Sequence, residues 1–310
     1  MTKISNAIHL IKENPDALKA YIVKMFSPLF SDRQYLSLLF RYRMGYSLDW
    51  ENPETYNEKL QWLKINDRNP LYTQLVDKLE VKDYVSNLVG DSYVVKTLGV
   101  WNTPEEIDFS IFPQQFVLKT THGGGNGGVI ICKDKSNLDP KKIRHTLSRS
   151  IRQDLFRDSR EWPYKDVKKR IIAEEYLEDV ETGELRDYKF FCFDGKVQAL
   201  FVATERQKRE EPFFSFFDRD YHSIDLTQGH PRPTVLPEKP ALFDQMIMLA
   251  EELSKNISHV RIDLYQVNGH IYFGEYTFYH FGGMERFEPE KWDKIFGDWL
   301  TLPNVPLKKI

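Results

Sequence analysis

The stretch that decides the fold lies between residues 260 and 277. Its sequence is Val260-Arg-Ile-Asp-Leu-Tyr-Gln-Val-Asn-Gly-His-Ile-Tyr-Phe-Gly-Glu-Tyr-Thr277. Two runs rich in β-branched and aromatic residues flank Asn268-Gly269, the dipeptide that most strongly favours a tight turn between antiparallel strands. The stretch therefore predicts a β-hairpin made of the strands Val260–Val267 and His270–Tyr276.

Both strands of this hairpin carry charged side chains among apolar ones. Alternation places Arg261 and Asp263 on one face of the first strand, and Glu275 and Thr277 on one face of the second. A strict two-residue turn puts Asp263 and Glu275 on opposite faces, whereas a three-residue loop or one β-bulge brings them together. Two carboxylates that share a face fit Mg²⁺ held jointly with nucleotide phosphates. An exposed edge hairpin with solvated acids is the alternative, and the sequence leaves both open.

A glycine-rich loop is the second conspicuous feature. The segment Thr120-Thr-His-Gly-Gly-Gly-Asn-Gly-Gly128 follows the predicted strand Phe116–Lys119 and precedes the predicted strand Val129–Cys132. Glycines let backbone amides approach an anion closely, but a P-loop or dinucleotide motif needs a helix after them. Because a strand follows here, the loop is interpreted as a flap between antiparallel strands. A plain hairpin tip is the alternative, and Lys119 favours the flap.

The segment Ile171–Leu177 is an apolar strand that ends in two acids, Glu174 and Glu175. Its backbone can hydrogen-bond an adenine edge, and a plain strand end is the alternative. Asp187-Tyr-Lys189 opens the next predicted strand, with Asp187 and Lys189 facing the same way.

The first 110 residues have helical periodicity instead. Helices are predicted over Leu36–Phe40, Tyr56–Leu63 and Leu71–Leu88, followed by a short strand at Tyr93–Val95. A further helix is predicted over Lys239–Leu253, ahead of the hairpin. The sequence therefore places helices first and most strands after residue 116.

Composition narrows the class of partner. The net charge of −3 gives no overall basic field, so we expect no nucleic-acid partner. Cys132 and Cys192 lie inside apolar runs and are interpreted as buried thiols in a reducing compartment. The first 30 residues contain no apolar stretch of membrane-spanning or signal length, so we expect a cytoplasmic protein without a membrane span. The predictions also allow a homodimer.

Taken in chain order, six segments resemble the TupA-like branch of the ATP-grasp superfamily, which is found in polysaccharide gene clusters. The segments are Asn52-Pro-Glu-Thr-Tyr-Asn-Glu-Lys-Leu-Gln-Trp62, Asp67-Arg-Asn-Pro-Leu-Tyr72, Val76-Asp-Lys-Leu79, Phe116-Val-Leu-Lys119, Tyr188-Lys-Phe-Phe-Cys-Phe-Asp-Gly-Lys196 and Arg261-Ile-Asp-Leu-Tyr265. The resemblance covers nearly the whole chain and implies an α+β, ATP-grasp fold that clasps ATP. Its expected parts are a helical N-terminal region (1–112), a small lobe with the glycine flap (113–177) and a C-terminal lobe with the metal-binding hairpin (178–310).

The resemblance also implies roles for individual residues toward two cofactors, ATP and Mg²⁺. The residues expected to bind the nucleotide are Lys78 and Lys119 at the phosphates, Gly123, Gly124, Gly125, Gly127 and Gly128 in the flap, Glu174, Glu175, Tyr176 and Leu177 at the adenine, and Asp187 and Lys189 at the ribose or phosphates. The expected metal ligands are Asp263, Glu275 and Thr277. Thr277 replaces the usual asparagine, which leaves open whether it ligates the metal. Arg261 and Gly283 are expected beside the reacting carbonyl.

The implied activity is a ligation. The γ-phosphoryl group of ATP activates a carboxylate, and an amine or similar nucleophile then displaces phosphate. The expected substrates are a carboxylate-bearing sugar or glycan precursor and an amine or amino acid, in capsular or other surface polysaccharide synthesis. The alternatives are a glycosyltransferase that uses a nucleotide sugar, to which Asp218-Arg-Asp220 fits formally, an ATP-dependent kinase, and a non-catalytic nucleotide-binding subunit.

Overall fold

The fold combines helices with two antiparallel sheets. A computed structural model of the chain describes residues 15–123, 127–206 and 211–304. The helices are α1 (Pro15–Met25), α2 (Asp32–Met44), α3 (Tyr56–Asn66), α4 (Leu71–Val76), α5 (Glu80–Val89), α6 (Pro140–Ile151), α7 (Leu155–Ser159), α8 (Phe243–Leu253) and α9 (Lys291–Trp299). The strands are β1 (Thr97–Trp101), β2 (Phe116–Thr120), β3 (Val129–Cys132), β4 (Ile171–Glu175), β5 (Asp187–Phe193), β6 (Lys196–Thr204), β7 (Phe213–Asp218), β8 (His259–Val267) and β9 (His270–Thr277).

The strands form a four-stranded sheet in the order β1-β4-β2-β3 and a five-stranded sheet in the order β7-β6-β5-β8-β9. Neighbouring strands are antiparallel throughout, including β2 and β3 on either side of the glycine loop. The first strand of the smaller sheet comes from residues 97–101, within the region 1–112 that the sequence assigns to the N-terminal part. The smaller sheet therefore takes one of its strands from the region that the sequence assigns to the N-terminal part.

The main core lies on the five-stranded sheet. Every residue of its central strand β5 is buried, and α8 packs against β5, β6 and β8. Apolar residues of α3, α4 and α5, including Leu60, Leu75 and Val85, belong to the same core cluster. The N-terminal helices therefore support the sheet that carries the hairpin.

The predicted helix Leu71–Leu88 is wrong at its centre, because the chain breaks there into α4 and α5. Asp77 has an extended backbone (φ −74°, ψ 114°), and its Oδ1 accepts hydrogen bonds from the amides of Leu79 and Glu80 at 2.8 and 3.2 Å. A side-chain acceptor at this position caps the new helix. The break places Lys78 outside both helices, and its amide donates to the Thr121 carbonyl at 2.9 Å.

Two further boundaries differ from the predictions. Residues Asp91–Tyr93 form a 3₁₀ turn, and the strand that was predicted at Tyr93–Val95 begins at Thr97. The helix predicted from Lys239 begins at Phe243, after Pro240 and after Leu242, whose amide donates to Gln266 Oε1 at 2.9 Å. Among the described residues, none of the helices has the length and apolarity that a bilayer crossing needs.

Helix α3 joins the N-terminal region to the C-terminal end of the chain. It begins at the capping box of Thr55 and Glu58, and Asn57 Nδ2 donates to Asp293 Oδ2 in α9 at 2.9 Å. The two helices approach so closely at Gly297 that an added Cβ would lie 2.2 Å from the Glu54 carbonyl oxygen. This contact involves backbone on both sides and has little room to relax.

We predict that Gly297→Ala lowers the free energy of unfolding by about 1–3 kcal/mol, because the added methyl group overpacks a backbone contact. Lys294→Ala on the same helix is the matched control, since the Lys294 side chain is 59% exposed. Urea unfolding curves of both variants measure the difference. Equal stability of the two variants would contradict the close α3–α9 packing.

Candidate active site

The β8–β9 hairpin brings its two carboxylates together through a bulge. The turn is the two-residue one, with Val267 paired to His270, yet Asp263 pairs with Glu275 because the register shifts by one residue after Leu264–Phe273. Gly274 occupies the extra position, where an added Cβ would lie 2.9 Å from the Asp263 carbonyl oxygen. The bulge therefore needs glycine, and of the two arrangements left open by the sequence, the structure has the shared face.

Three cationic side chains contact these carboxylates. Arg261 binds Asp263 through Nε–Oδ1 and Nη2–Oδ2, at 2.7 and 2.8 Å. Lys189 Nζ also contacts Asp263 Oδ2, and Lys78 Nζ lies 2.9 Å from Glu275 Oε2. Asp263 is fully buried, so its charge depends on these partners. Lys78, Lys189 and Arg261 thus come from three separate parts of the chain to one pair of acids.

The acid at the edge of this group stays ionised. Burial would raise the pKa of Glu275, but Lys78, Lys189 and Arg261 outweigh it and hold that pKa well below its usual range. The Glu275 side chain is still 36% exposed, so it can reach a ligand. Thr277 lies beside it, and its Oγ1 accepts from Arg261 Nη2 at 3.0 Å.

A third carboxylate, Asp187, adjoins the pair on β5. Its Oδ2 lies 2.6 Å from Lys189 Nζ and 2.7 Å from Arg206 Nη1. Its Oδ1 is buried and has no hydrogen-bond partner among the described residues. A buried acceptor of this kind fits a ligand that supplies a hydroxyl or a cation.

Lys119 lies on the smaller sheet and is held by Glu174. Glu174 is buried and accepts Lys119 Nζ at 2.5 Å and Lys82 Nζ at 2.6 Å. Burial would raise the pKa of Glu174, but the two lysines outweigh it and lower that pKa to about 2. Lys82 also donates to Val95 O and to Thr97 Oγ1, whereas Lys119 is 23% exposed and has donors to spare.

The rest of the predicted adenine linker leaves the strand after Glu175. Glu175 pairs with Lys96 at 3.3 Å, and the Tyr176 hydroxyl donates to Glu178 Oε1 at 2.9 Å. Leu177 is half-buried and lies outside the strands, so its backbone and that of Tyr176 are not used in a sheet ladder. The segment connects the smaller sheet to the larger one.

The base of the glycine loop is closed by a hydrogen bond from the Thr120 amide to the Gly128 carbonyl at 3.1 Å. Gly127 has a φ of 133°, and an added Cβ at Gly123 would lie 2.3 Å from Thr120 Oγ1. Gly124 and Gly125 lie outside the described residues. The loop connects the antiparallel strands β2 and β3 next to Lys119, an arrangement that both the flap and the plain hairpin tip share.

Gly283 lies in the turn His280–Gly283 that follows the hairpin, and α3 fixes this turn. Gln61 Nε2 donates to the carbonyls of Gly282 and Gly283 at 2.9 and 2.7 Å, and Lys64 Nζ donates to Gly282 at 2.7 Å. Gly282 and Gly283 both have a φ of 63°. A side chain at Gly283 would meet Gln61 Nε2 at 2.4 Å, so close packing alone requires glycine there.

The structure thus brings Lys78, Lys189, Arg261, Asp263 and Glu275 into direct contact, and it places Lys119 and Glu174 on the neighbouring sheet. Sequence reasoning missed Lys82 and His280 as supporting residues. It considered Arg206 only as part of the basic stretch Arg206-Gln-Lys-Arg209, for contact with an anionic glycan, with a solvated loop as the alternative. Positions 207–209 of this stretch lie outside the described residues. A weak signal existed for Lys82, which follows Lys78 by four positions. Arg206 and His280 make their contacts only through the tertiary fold.

The donor set fits Mg²⁺ together with a nucleotide. Asp263 and Glu275 lie on one face, and Asp187 Oδ1 is an acceptor nearby that has no partner among the described residues. Both oxygens of Asp263 are paired with Arg261 and Lys189, so Asp263 would have to give up one of these contacts to bind an ion. Within residues 15–123, 127–206 and 211–304, groups of three or more His, Cys, Asp or Glu side chains that could hold an ion are absent.

We predict that Lys119→Ala weakens ATP binding more than about tenfold, because it removes a point charge from a partly buried phosphate site. Lys96→Ala is the matched control, since Lys96 pairs with the neighbouring Glu175 but its side chain is 71% exposed. Isothermal titration with a non-hydrolysable ATP analogue measures both. Unchanged affinity in folded Lys119→Ala protein would remove Lys119 from the site.

Comparison with known proteins covers most of the chain. Similar solved structures include the D-alanine–D-alanine ligases of Bacillus anthracis (17% identity, TM-score 0.37, covering 66% of this chain and 56% of that one) and Helicobacter pylori (13%, 0.42, 79% and 69%). A RimK domain ATP-grasp protein from Sphaerobacter thermophilus is 12% identical, with a TM-score of 0.42 and coverages of 76% and 70%. The chain thus spans little more than half of the first of these structures. No curated protein matches the chain. The family model described as TupA-like ATPgrasp matches residues 58–301, so the chain belongs to the TupA-like ATPgrasp family.

Proposed function

We propose that the protein is an ATP- and Mg²⁺-dependent ligase that joins a carboxylate to an amine or similar nucleophile through an acyl phosphate. The carboxylate would belong to a sugar or glycan precursor and the amine to an amino acid or related compound, in cytoplasmic steps of surface polysaccharide synthesis. Family membership supports ATP as the nucleotide and ligation as the class of chemistry. The polysaccharide assignment rests on the family resemblance of the sequence.

One observation carries the proposal, and it is the contact of Arg261 with the two hairpin carboxylates beside Lys78 and Lys189. ATP-dependent activation of a carboxylate brings together a triphosphate and a second anion, which repel each other. Cationic side chains in a partly buried site offset this repulsion. The cluster supplies this charge at the point where two carboxylates can also hold Mg²⁺.

The residues then divide the chemistry between them. Lys78 and Lys119 hold the phosphates in line while a carboxylate oxygen attacks the γ-phosphorus and the bond to ADP breaks. Arg261 offsets the charge that develops on the carbonyl oxygen when the amine attacks. The C–O bond to phosphate then breaks, phosphate leaves, and the amine nitrogen loses its proton. Bound Mg²⁺ would supply further charge neutralisation at the phosphates.

A cleft that Arg261 itself does not line is linked to Arg261 through His230, Phe281 and His280, and we propose it as the place of the acceptor. It has a volume of about 570 Å³, and Arg43, His230 and Arg286 are among the residues that line it. His230 packs near Phe281, with 6.0 Å between ring centroids, and Phe281 packs on His280, which contacts Arg261. Glu211, Glu285 and Glu288 line the cleft as well, so its charge is mixed and does not by itself select an anionic acceptor.

The segment that formally fits the transferase alternative lies in a turn after β7. Asp218 ends β7, and its Oδ1 accepts the amides of Asp220 and His222, at 2.9 and 2.8 Å. Arg219 pairs with Glu251. The segment Asp218–Asp220 therefore forms a self-contained turn, and it offers little to a diphosphate.

We predict that hydroxylamine replaces the natural amine and gives a hydroxamate, with ADP and phosphate formed in equal amounts. Arg261→Lys should lower the rate of hydroxamate formation at least about tenfold and change ATP affinity far less, because the forked guanidinium acts on charge that develops during reaction. A panel of uronic and other carboxylic acids, scored for hydroxamate, ADP and phosphate, makes the measurement. A stable phosphorylated product without free phosphate would indicate a kinase, and consumption of a nucleotide sugar with intact ATP would indicate a transferase.

We also predict that Glu275→Gln raises the Mg²⁺ concentration needed for half-maximal nucleotide binding more than about tenfold, because it replaces an anionic ligand by a neutral one. Glu178→Gln is the control, since Glu178 is also paired with a lysine but lies on the exposed linker. Titration of Mg²⁺ against a fluorescent ATP analogue measures the effect. The same Mg²⁺ dependence in both variants would exclude Glu275 as a ligand.

A further inference from the structure

The buried side chain of His280 contacts Arg261. Arg261 Nη1 is 2.6 Å from His280 Nδ1, and His280 Nε2 is 3.1 Å from Gln228 Oε1. Gln228 Nε2 in turn donates to the Glu285 carbonyl at 3.1 Å. His280 and Gln228 are each 1% exposed. The three side chains therefore form one chain of hydrogen bonds from the arginine to the loop that lines the cleft.

The direction of every hydrogen bond in this chain is fixed. Arginine has only donors, so His280 Nδ1 must accept and the ring proton must lie on Nε2. Nε2 then donates to the Gln228 carbonyl oxygen, which leaves the Gln228 amide nitrogen to donate to Glu285 O. One tautomer of His280 and one orientation of Gln228 satisfy all three contacts together.

The surroundings keep this histidine neutral. Its ring packs between Phe191, Phe201 and Phe281, with centroid distances of 5.0, 5.4 and 4.3 Å. Burial lowers the pKa of His280 well below its usual range, and the nearby charges act in the same direction. The charged and titratable groups that face it are Arg261 and His259 on β8, Lys189 on β5, and His230 in the loop after β7. A protonated ring would direct a donor at Arg261.

The contact with His280 also decides which donor of Arg261 a substrate can use. Nε and Nη2 together make three hydrogen bonds, to Asp263 and Thr277, and Nη1 makes one to His280. A guanidinium has five donors, so within the described part of the chain a single Nη1 hydrogen remains. Its direction is set by the hydrogen on the same nitrogen that His280 binds.

We propose that His280 is a positioning residue, which holds the Arg261 guanidinium so that its remaining Nη1 hydrogen points at the oxyanion of the reacting carboxylate. The inference rests on the proposed ligase function and extends it to a residue that does not touch substrate. Gln228 fixes the tautomer of His280 and therefore affects Arg261 only through His280.

The test compares two substitutions of the same histidine. His280→Asn keeps an acceptor close to the position of Nδ1, whereas His280→Leu has a similar volume and no acceptor. We expect the Leu variant to lose about tenfold or more in the maximal rate of hydroxamate formation, with an affinity for the Mg²⁺-bound ATP analogue within about twofold of wild type. The Asn variant should recover most of the rate. Equal rates in the two variants would overturn the proposal.

His259 supplies the matched control. It is also a buried histidine and lies on β8, but its ring contacts are Tyr56 Oη and the Cys192 carbonyl, each at 2.8 Å. His259→Leu and His259→Asn should have similar rates of hydroxamate formation once any difference in their affinity for the ATP analogue is taken into account. If these variants reproduce the Leu-to-Asn difference seen at His280, the effect is one of packing and the proposal fails.

A spectroscopic measurement separates this inference from the proposed function. Nitrogen-15 NMR of histidine-labelled protein reports the tautomer without any turnover. We expect the neutral Nε2–H form of His280 at pH 7. Gln228→Leu should increase the fraction of the Nδ1–H tautomer. An Nδ1–H or cationic ring in the wild type would overturn the inference even if hydroxamate forms. Absence of hydroxamate in the wild type, with the Nε2–H form present, would contradict the ligase function and with it the role of His280 toward an oxyanion.

Discussion

The ion pair between Arg261 and Asp263 is the interaction on which the rest of the site depends. Asp263 is fully buried, and a buried carboxylate without partners would be strongly destabilising. The bidentate contact with Arg261 and the contact with Lys189 compensate this cost and fix three side chains at once. Glu275, Thr277 and His280 are then held by their own contacts to Arg261. The cluster is thus one connected set of contacts built on β5, β8 and β9.

The N-terminal helices complete this unit from outside the sheet. The break at Asp77 between α4 and α5 presents Lys78 to Glu275, and Arg170 holds Asp77 in turn, at 2.8 Å. Helix α3 fixes the turn His280–Gly283 through Gln61 and Lys64. The helices that precede the sheets in the sequence therefore position groups at both ends of the site. This explains how a helical segment far from the hairpin contributes to the same chemistry.

Local patterns made much of this structure predictable. Alternation and the Asn268-Gly269 turn predict the hairpin with nearly its observed bounds, and family membership confirms the ATP-grasp fold class. The sequence does not decide whether the hairpin has a bulge, because the bulge depends on the close approach of Gly274 to the Asp263 carbonyl. The break at Asp77 was missed because the apolar period continues across it. His280 has no local signal, because it contacts Arg261 only through the tertiary fold. Lys82 and Arg206 have weak local signals, but neither signal identifies the partner, which lies elsewhere in the chain.

We propose that the hairpin carboxylates and the lysines around them form a metal–nucleotide site between the two sheets. A crystal structure of the protein with a non-hydrolysable ATP analogue and Mn²⁺ in place of Mg²⁺ tests this most directly, since anomalous scattering locates the ion. We expect the ion between Asp263 and Glu275, with the phosphates against Lys78 and Lys119. An ion or a nucleotide bound elsewhere, with the contacts among Arg261, Asp263 and Glu275 unchanged, would contradict the assignment of this cluster as the metal–nucleotide site.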